Sequence, residues 1–228
     1  MQWLSQILGR SPDPVLQRGK GSLKIIFGLG NPGARYELTR HNIGFRLVER
    51  LGTECNATFK VAKNLQVELA KISLAEQEVL LVKPLTFMNL SGRAFLAVRQ
   101  WYKESLNNFL VIHDDCSLEL GRLRVQRNGG AGGQHGVESI IEVLGGNKAF
   151  DRLKFGVGPD PGGDIRADFV LSKFPPEQKE LLDRSLDLAI RAIKVWLEKG
   201  TQVAMNSFNG IDLSKPTLEA ENSLDDRA

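Results

Sequence analysis

Apolar and polar positions along this chain switch repeatedly between a period of two and a period near 3.6. Leu23 to Leu29 form a short, nearly continuous apolar run that ends in Gly, Asn and Pro, which predicts a buried strand closing in a turn. Ile43, Phe45, Leu47, Val48 and Leu51 then recur at helical spacing over residues 41 to 51. "VELAKIS" and "EVLLVKP" predict two strands of a hairpin around Ala75-Glu76-Gln77. "NLSGRAFLAVRQWYKE" is helical in period, with Asn89 or Ser91 available as its N-cap. "NFLVIHD" is a third buried strand. In "GRLRVQR", Arg122 and Arg124 alternate with Leu123 and Val125, so that strand has one basic and one apolar face.

A glycine loop, "GGAGGQHG", leads into a helix, "VESIIEVLGG", that glycine closes. "FDRLKFGVG" is another strand. The last element begins at Pro176, suited to a helix first turn, and lines up Leu182, Leu186, Ala189, Ile193 and Trp196 before Gly200 ends it. Strands interleaved with helices predict an α/β fold: a single three-layer domain whose mixed, mostly parallel sheet is flanked by helices. The organisation expected is a flexible N-terminal extension over 1–22, a catalytic domain over 23–209 and an acidic disordered tail over 210–228.

A length of 228 residues suits one such domain with tails. No apolar run approaches the roughly 20 residues of a membrane span, and the N-terminus lacks the cleavage pattern of a secretory signal. Cys55 and Cys116 are far apart and form no C-x-x-C pair, which fits a reducing cytoplasm. The net charge of +3 is unevenly spread: from Asp212 onward five acids face two bases, so that stretch carries −3 and the rest about +6. A basic body suits a polyanionic partner.

Gly28-Leu29-Gly30-Asn31-Pro32-Gly33 matches the G-x-G-x-x-G fingerprint of dinucleotide-binding folds. That reading needs a helix opening at the third glycine and an acid some 20 residues on at a strand end. Here "ARYELTR" follows without an apolar face, and Glu49 falls inside a helical pattern. The glycines read better as a turn, Gly30 and Gly33 allowing positive φ, that presents Asn31 at the carboxyl edge of a strand.

Three histidines occur: His41, His113 and His135. His113, Asp114 and Asp115 also close a strand, and a His backed by a carboxylate is a general-base arrangement. No close His pair favours a metal. No G-x-S-x-G motif supplies a serine nucleophile, and nothing in its context marks Cys116 as one. Asn89, after Phe87 and Met88, offers both a donor and an acceptor, which suits a peptide group as well as it suits a helix cap.

Together "FGLGNPGARYELTRHNIGF", "KPLTFMNLSG", "VIHDD", "GGAGGQHG" and "RLKFGVGP" resemble the bacterial-type peptidyl-tRNA hydrolase family, in its order and at its spacing, from about Leu23 to Asn206. The resemblance implies a monomeric cytoplasmic enzyme, with no metal, cofactor, membrane or obligatory protein partner. Its substrate would be peptidyl-tRNA, cleaved at the ester between the peptide and the 3′-terminal ribose. It implies His41 as the base that activates water, oriented by Asp114. Asn31, Tyr36, Met88, Asn89 and His135 would contact substrate, under a mobile glycine loop. Arg122, Arg124, Arg127, Arg152 and Lys154 are the candidates for tRNA phosphates.

The chain departs from the family at several points. His135 stands where many members have Asn, and Gln134 where His is frequent. "CSLELG" has Ser117 and Glu119 in place of the usual acid and proline. A basic position used toward tRNA is Gln126 here. These changes motivate an alternative: a non-catalytic, splicing-factor-like RNA-binding relative of the same fold.

Overall fold

The computed structural model describes residues 23–215. Seven strands form one sheet: β1 (Lys24–Gly28), β2 (Lys60–Ala62), β3 (Val67–Leu74), β4 (Gln77–Pro84), β5 (Phe109–Glu119), β6 (Leu123–Arg127) and β7 (Asp151–Gly158), in the order β2-β3-β4-β1-β5-β7-β6. The four central strands β4, β1, β5 and β7 run parallel, while β2 and β3 on one side and β6 on the other pair antiparallel. The helices are α1 (Ile43–Glu54), α2 (Ser91–Tyr102), α3 (His135–Val143), α4 (Arg166–Leu171) and α5 (Lys179–Phe208).

Alternation along β1 builds the three layers. Ile26 faces α1 and α5 with Leu47, Leu51 and Ile193; Ile25 and Phe27 face α2 and α3 with Phe95, Val98 and Ile140. A strand buried on both faces must be apolar throughout, which is why its sequence shows no alternation.

β1 stops at Gly28, in register with Ile112 of β5. β5 therefore runs on past the end of its neighbour, and His113 and Asp114 stand at the carboxyl edge of the parallel strands. Two glycines let α1 start directly against that edge. A Cβ on Gly44 would lie 2.5 Å from the backbone N and O of Leu29 and 2.6 Å from the Ile112 carbonyl, and one on Gly28 would strike the Gly44 carbonyl.

Several local expectations are corrected. Gly33 takes φ +107°, as a turn requires, but Gly30 does not have positive φ; its missing Cβ makes room for the Phe45 ring. The short strand β2 and the helix α4 carry too few residues to show a period. Neither Asn89 nor Ser91 caps α2. Gly200 breaks α5 rather than ending it, with φ +80°, and the helix resumes as Thr201 bonds the buried Asp151. Residues 210 to 215, expected in the tail, pack on the body. Leu213 N donates to the Gly121 carbonyl at 3.0 Å, and Asp212 pairs with Arg122 in an isolated antiparallel backbone bridge. The expectations for 1–22 and for 216–228 lie outside the described residues. Among the described residues no helix is long and apolar enough to cross a membrane.

Candidate active site

A cleft of about 1010 Å³ opens at the carboxyl ends of the central strands and is lined by Asn31, His41, Met88, Asn89, Asp114 and Gln134, among others. Ligands of open α/β sheets gather at this edge. Three of the parallel strands, or the turns after them, deliver these groups: Asn31 follows β1, Met88 and Asn89 follow β4, and Asp114 belongs to β5. His41 sits in a single 3-10 turn, Arg40–Asn42, that leads into α1.

His41 Nδ1 lies 2.9 Å from Asp114 Oδ2, both side chains being largely buried at 11% and 4% exposure. The carboxylate accepts from Nδ1–H, which leaves Nε2 as the unprotonated nitrogen. Burial disfavours the imidazolium, but the Asp114 charge and hydrogen bond outweigh it and hold the His41 pKa above its ordinary value. Burial likewise works against the Asp114 carboxylate, yet His41 and the Gln134 hydrogen bond keep its pKa below the usual range. Asp114 Oδ1 accepts from Gln134 Nε2 at 3.1 Å, so both carboxylate oxygens are occupied.

His113 also borders the cleft, but its ring is engaged with the backbone. Its Nδ1–H donates to the Asp114 carbonyl at 2.8 Å, its Nε2 is buried without a partner, and burial lowers its pKa to about 4. It is therefore neutral near pH 7 and gives the carboxylate no competing cation. Cys116 also lines the cleft, but burial and the charges of Asp114, Asp160 and Asp115 push its thiol to about 12. A thiol so high is not a thiolate nucleophile.

Asn31 is fixed from three sides. The Asn42 side chain accepts from the Asn31 amide and donates to its carbonyl, both at 2.9 Å, and Met88 N donates to Asn31 Oδ1 at 2.8 Å. With Oδ1 occupied, the side-chain NH₂ is the group left for a ligand. Asn89 is exposed on the cleft wall beside the buried Met88. Across from it, Arg40 ties α4 to the site: its guanidinium donates to the Lys173 carbonyl and to Ser172 Oγ, each at 2.6 Å, and stacks on Phe169 and Phe174.

Most of the residues proposed for the site meet here: Asn31, His41, Met88, Asn89, Asp114 and His135 all line the cleft. His135 is exposed, with Nδ1 3.3 Å from Glu138 Oε2. Tyr36 is not among the cleft residues; it is half-buried in the preceding turn, where its hydroxyl accepts from Arg35.

The basic candidates divide. Arg124 is exposed on β6, opposite Lys154 of β7 and so on the same face. Lys154 Nζ is held by Asp115 Oδ2 at 2.7 Å, and Arg127 by the buried Asp151 at 3.0 Å. Arg122 is half-buried beside Asp212. Arg152 is corrected: it is 0% exposed and spends its guanidinium on the Gly130 carbonyl at 2.8 Å and on the Asn128 carbonyl. It supports the glycine loop from beneath and cannot reach a phosphate. Asn42 and Gln134 were missed as site residues because their contacts join segments 11 and 20 residues apart, which no local pattern announces.

The peptidyl-tRNA hydrolase family model matches residues 25–217. The peptidyl-tRNA hydrolase of Elusimicrobium minutum is 44% identical over 187 residues, covering 82% of this chain and 99% of that protein. That of Chloroflexus aggregans is 45% identical over 186 residues, covering 81% of this chain and 98% of that one. The crystal structure of peptidyl-tRNA hydrolase from Acinetobacter baumannii shares the fold with a TM-score of 0.79 at 30% identity, over 85% of this chain and 99% of its own. Since the matched region takes in the whole of the cleft, the chain with this His–Asp pair belongs to the peptidyl-tRNA hydrolase family.

Proposed function

We propose that this protein hydrolyses the ester joining a peptide to the 3′-terminal ribose of tRNA, with His41 as general base and Asp114 as its orienting carboxylate. The observation that carries the proposal is the 2.9 Å His41–Asp114 pair, with the second imidazole nitrogen left free beside a cleft that also presents the Asn31 amide. His41 Nε2 takes a proton from water as the water oxygen bonds to the ester carbon. Negative charge develops on the carbonyl oxygen, where the Asn31 NH₂ and the Asn89 amide donate; one such donor is worth about 3 kcal/mol in comparable sites. The C–O bond to the ribose then breaks, and the ribose oxygen takes the proton held on His41. The products are a peptide acid and a tRNA with its 3′ hydroxyl restored.

Met88 and the exposed His135 would contact the peptidyl portion. Arg124, together with Arg122 and Lys154, would meet phosphate along the basic face of β6 and β7. The same reading takes the protein as a cytoplasmic monomer. Nothing in the fold, the cleft or the relatives favours the non-catalytic RNA-binding role.

The test is to give the purified protein an N-blocked aminoacyl-tRNA, with and without chelator. Release of the intact blocked amino acid, and of tRNA that can be charged again, is expected in both arms. No release, or release only without chelator, would defeat the proposal.

A further inference from the structure

Gln134 is a buried polar side chain where the glycine loop, the start of α3 and Asp114 meet. It is 7% exposed at the end of the glycine loop. Its Oε1 accepts from Val137 N at 2.8 Å, which caps α3. Its Nε2 donates to Asp114 Oδ1 at 3.1 Å and lies 3.2 Å from Met88 Sδ. Gly136 keeps this arrangement compact, since a Cβ there would meet Met88 Sδ at 2.5 Å and Gln134 Oε1 at 3.0 Å.

From this geometry we propose that Gln134 is a positioning residue for the hydrolytic pair: it holds the Asp114 carboxylate in the plane that serves His41, and it couples that carboxylate to the glycine loop and the start of α3. The proposal rests on the hydrolase reading above. A carboxylate with one oxygen held can still rotate about its Cβ–Cγ bond; with both oxygens held it cannot. Oδ1 is taken by a donor that has no other charge to serve, so Oδ2 stays with His41 Nδ1 and the imidazole keeps its Nε2 acceptor toward the cleft. The orientation of the amide is itself determined, because Val137 N demands an oxygen on one side and Asp114 demands a donor on the other.

A glutamine also keeps this contact independent of pH. The ionisable neighbours of Asp114 are His41 from the turn before α1, His113 and Cys116 on its own strand, the Asp115–Lys154 pair of β5 and β7, and the Asp160–Arg166 pair that also lines the cleft. Gln134, the donor at the N-cap of α3, adds no charge to them.

The variants that test this are Q134E and Q134H, assayed for kcat, KM and their pH profiles on N-blocked aminoacyl-tRNA, with thermal unfolding measured alongside. Q134E retains the oxygen that caps α3 but, once ionised, offers Asp114 no donor. Its kcat at the alkaline end of the profile should fall on the order of ten- to a hundred-fold, the loss of one hydrogen bond to a charged group. KM should change little, and the two buried carboxylates should also lower the unfolding midpoint at alkaline pH. At temperatures well below that midpoint the kcat deficit should persist, shrinking as the pH falls and the new carboxyl takes up a proton. Q134H, which can donate from a ring N–H, should recover most of the activity. Wild-type kcat for Q134E across the whole profile, or a loss that follows unfolding alone, overturns the inference. Wild-type protein without activity, or H41A with full activity, overturns the hydrolase reading instead.

Discussion

Replacing Asp114 by Asn changes one atom and should disable the base. Both donors that face Asp114 are fixed: His41 Nδ1–H at 2.9 Å on Oδ2 and Gln134 Nε2–H at 3.1 Å on Oδ1. An amide has one acceptor oxygen, so D114N must fail one of them. If its oxygen stays toward Gln134, its NH₂ faces His41 Nδ1, and the imidazole must move its proton to Nε2. The nitrogen that should accept from water is then occupied. If its oxygen stays toward His41, two NH₂ groups oppose each other in a buried site, at a cost of about 1–3 kcal/mol. In both cases the imidazolium formed in the transition state loses its carboxylate. The equivalent Asp-to-Asn change in a Ser-His-Asp triad lowers kcat by about 10⁴, and a loss of roughly 10²–10⁴ is expected here, or about 3–5 kcal/mol of barrier. The direction of the pH effect is also determined. Burial lowers the His41 pKa and Asp114 raises it; without the carboxylate the acid limb of kcat/KM should move to lower pH. Single-turnover hydrolysis across a pH series measures both. A kcat within about fivefold of wild type, or an acid limb that stays in place or moves up, refutes the reasoning.

Three further outcomes are expected. Gly44→Ala forces a Cβ against the backbone of Leu29 and Ile112; it should cost at least 1–3 kcal/mol in urea unfolding and lower kcat by shifting the turn that carries His41, and unchanged stability would mean that α1 is not held by this contact. His113 has its folded pKa lowered from 6.5 to about 4, so the unfolded chain binds the extra proton in that window and stability is lost as pH falls through it, by on the order of 3 kcal/mol in total. H113N should show a shallower acid slope than wild type, and equal slopes would contradict this. Arg124→Ala should weaken tRNA binding and flatten its dependence on salt by about one unit of slope, whereas an unchanged slope would remove Arg124 from the phosphate contacts.

The parts of this fold that show in the sequence are those where one residue's environment repeats along the chain. β1, β4 and β5 are buried on both faces, and a continuous apolar run announces that directly. α1 and the first part of α5 bury one stripe each, and the spacing of Leu182, Leu186, Ala189 and Ile193 shows it. What stays hidden depends on contacts across the chain. Arg152 looks like its neighbour Arg124, yet its position under residues 128 to 130 buries it. Gly28, Gly30 and Gly33 look alike in a fingerprint, but each is small for a different reason: Gly28 for the approach of α1, Gly30 for the Phe45 ring, and Gly33 for its φ. The candidate residue types were legible at a strand end, for Asp114, and at the start of a helix, for His41. That they meet, that Asn42 bonds Asn31 and that Gln134 bonds Asp114 follows only from the packing of α1 and α3 on the sheet edge.

The most direct test of the account is the rate at which wild type and H41A release the peptidyl group from a saturating N-blocked aminoacyl-tRNA in a single turnover, with tRNA binding measured in parallel. The account predicts that H41A binds tRNA like wild type and loses about three orders of magnitude or more in the chemical step, in the range of a positioned general base together with its orienting partner. An H41A enzyme that cleaves at the wild-type rate would contradict it.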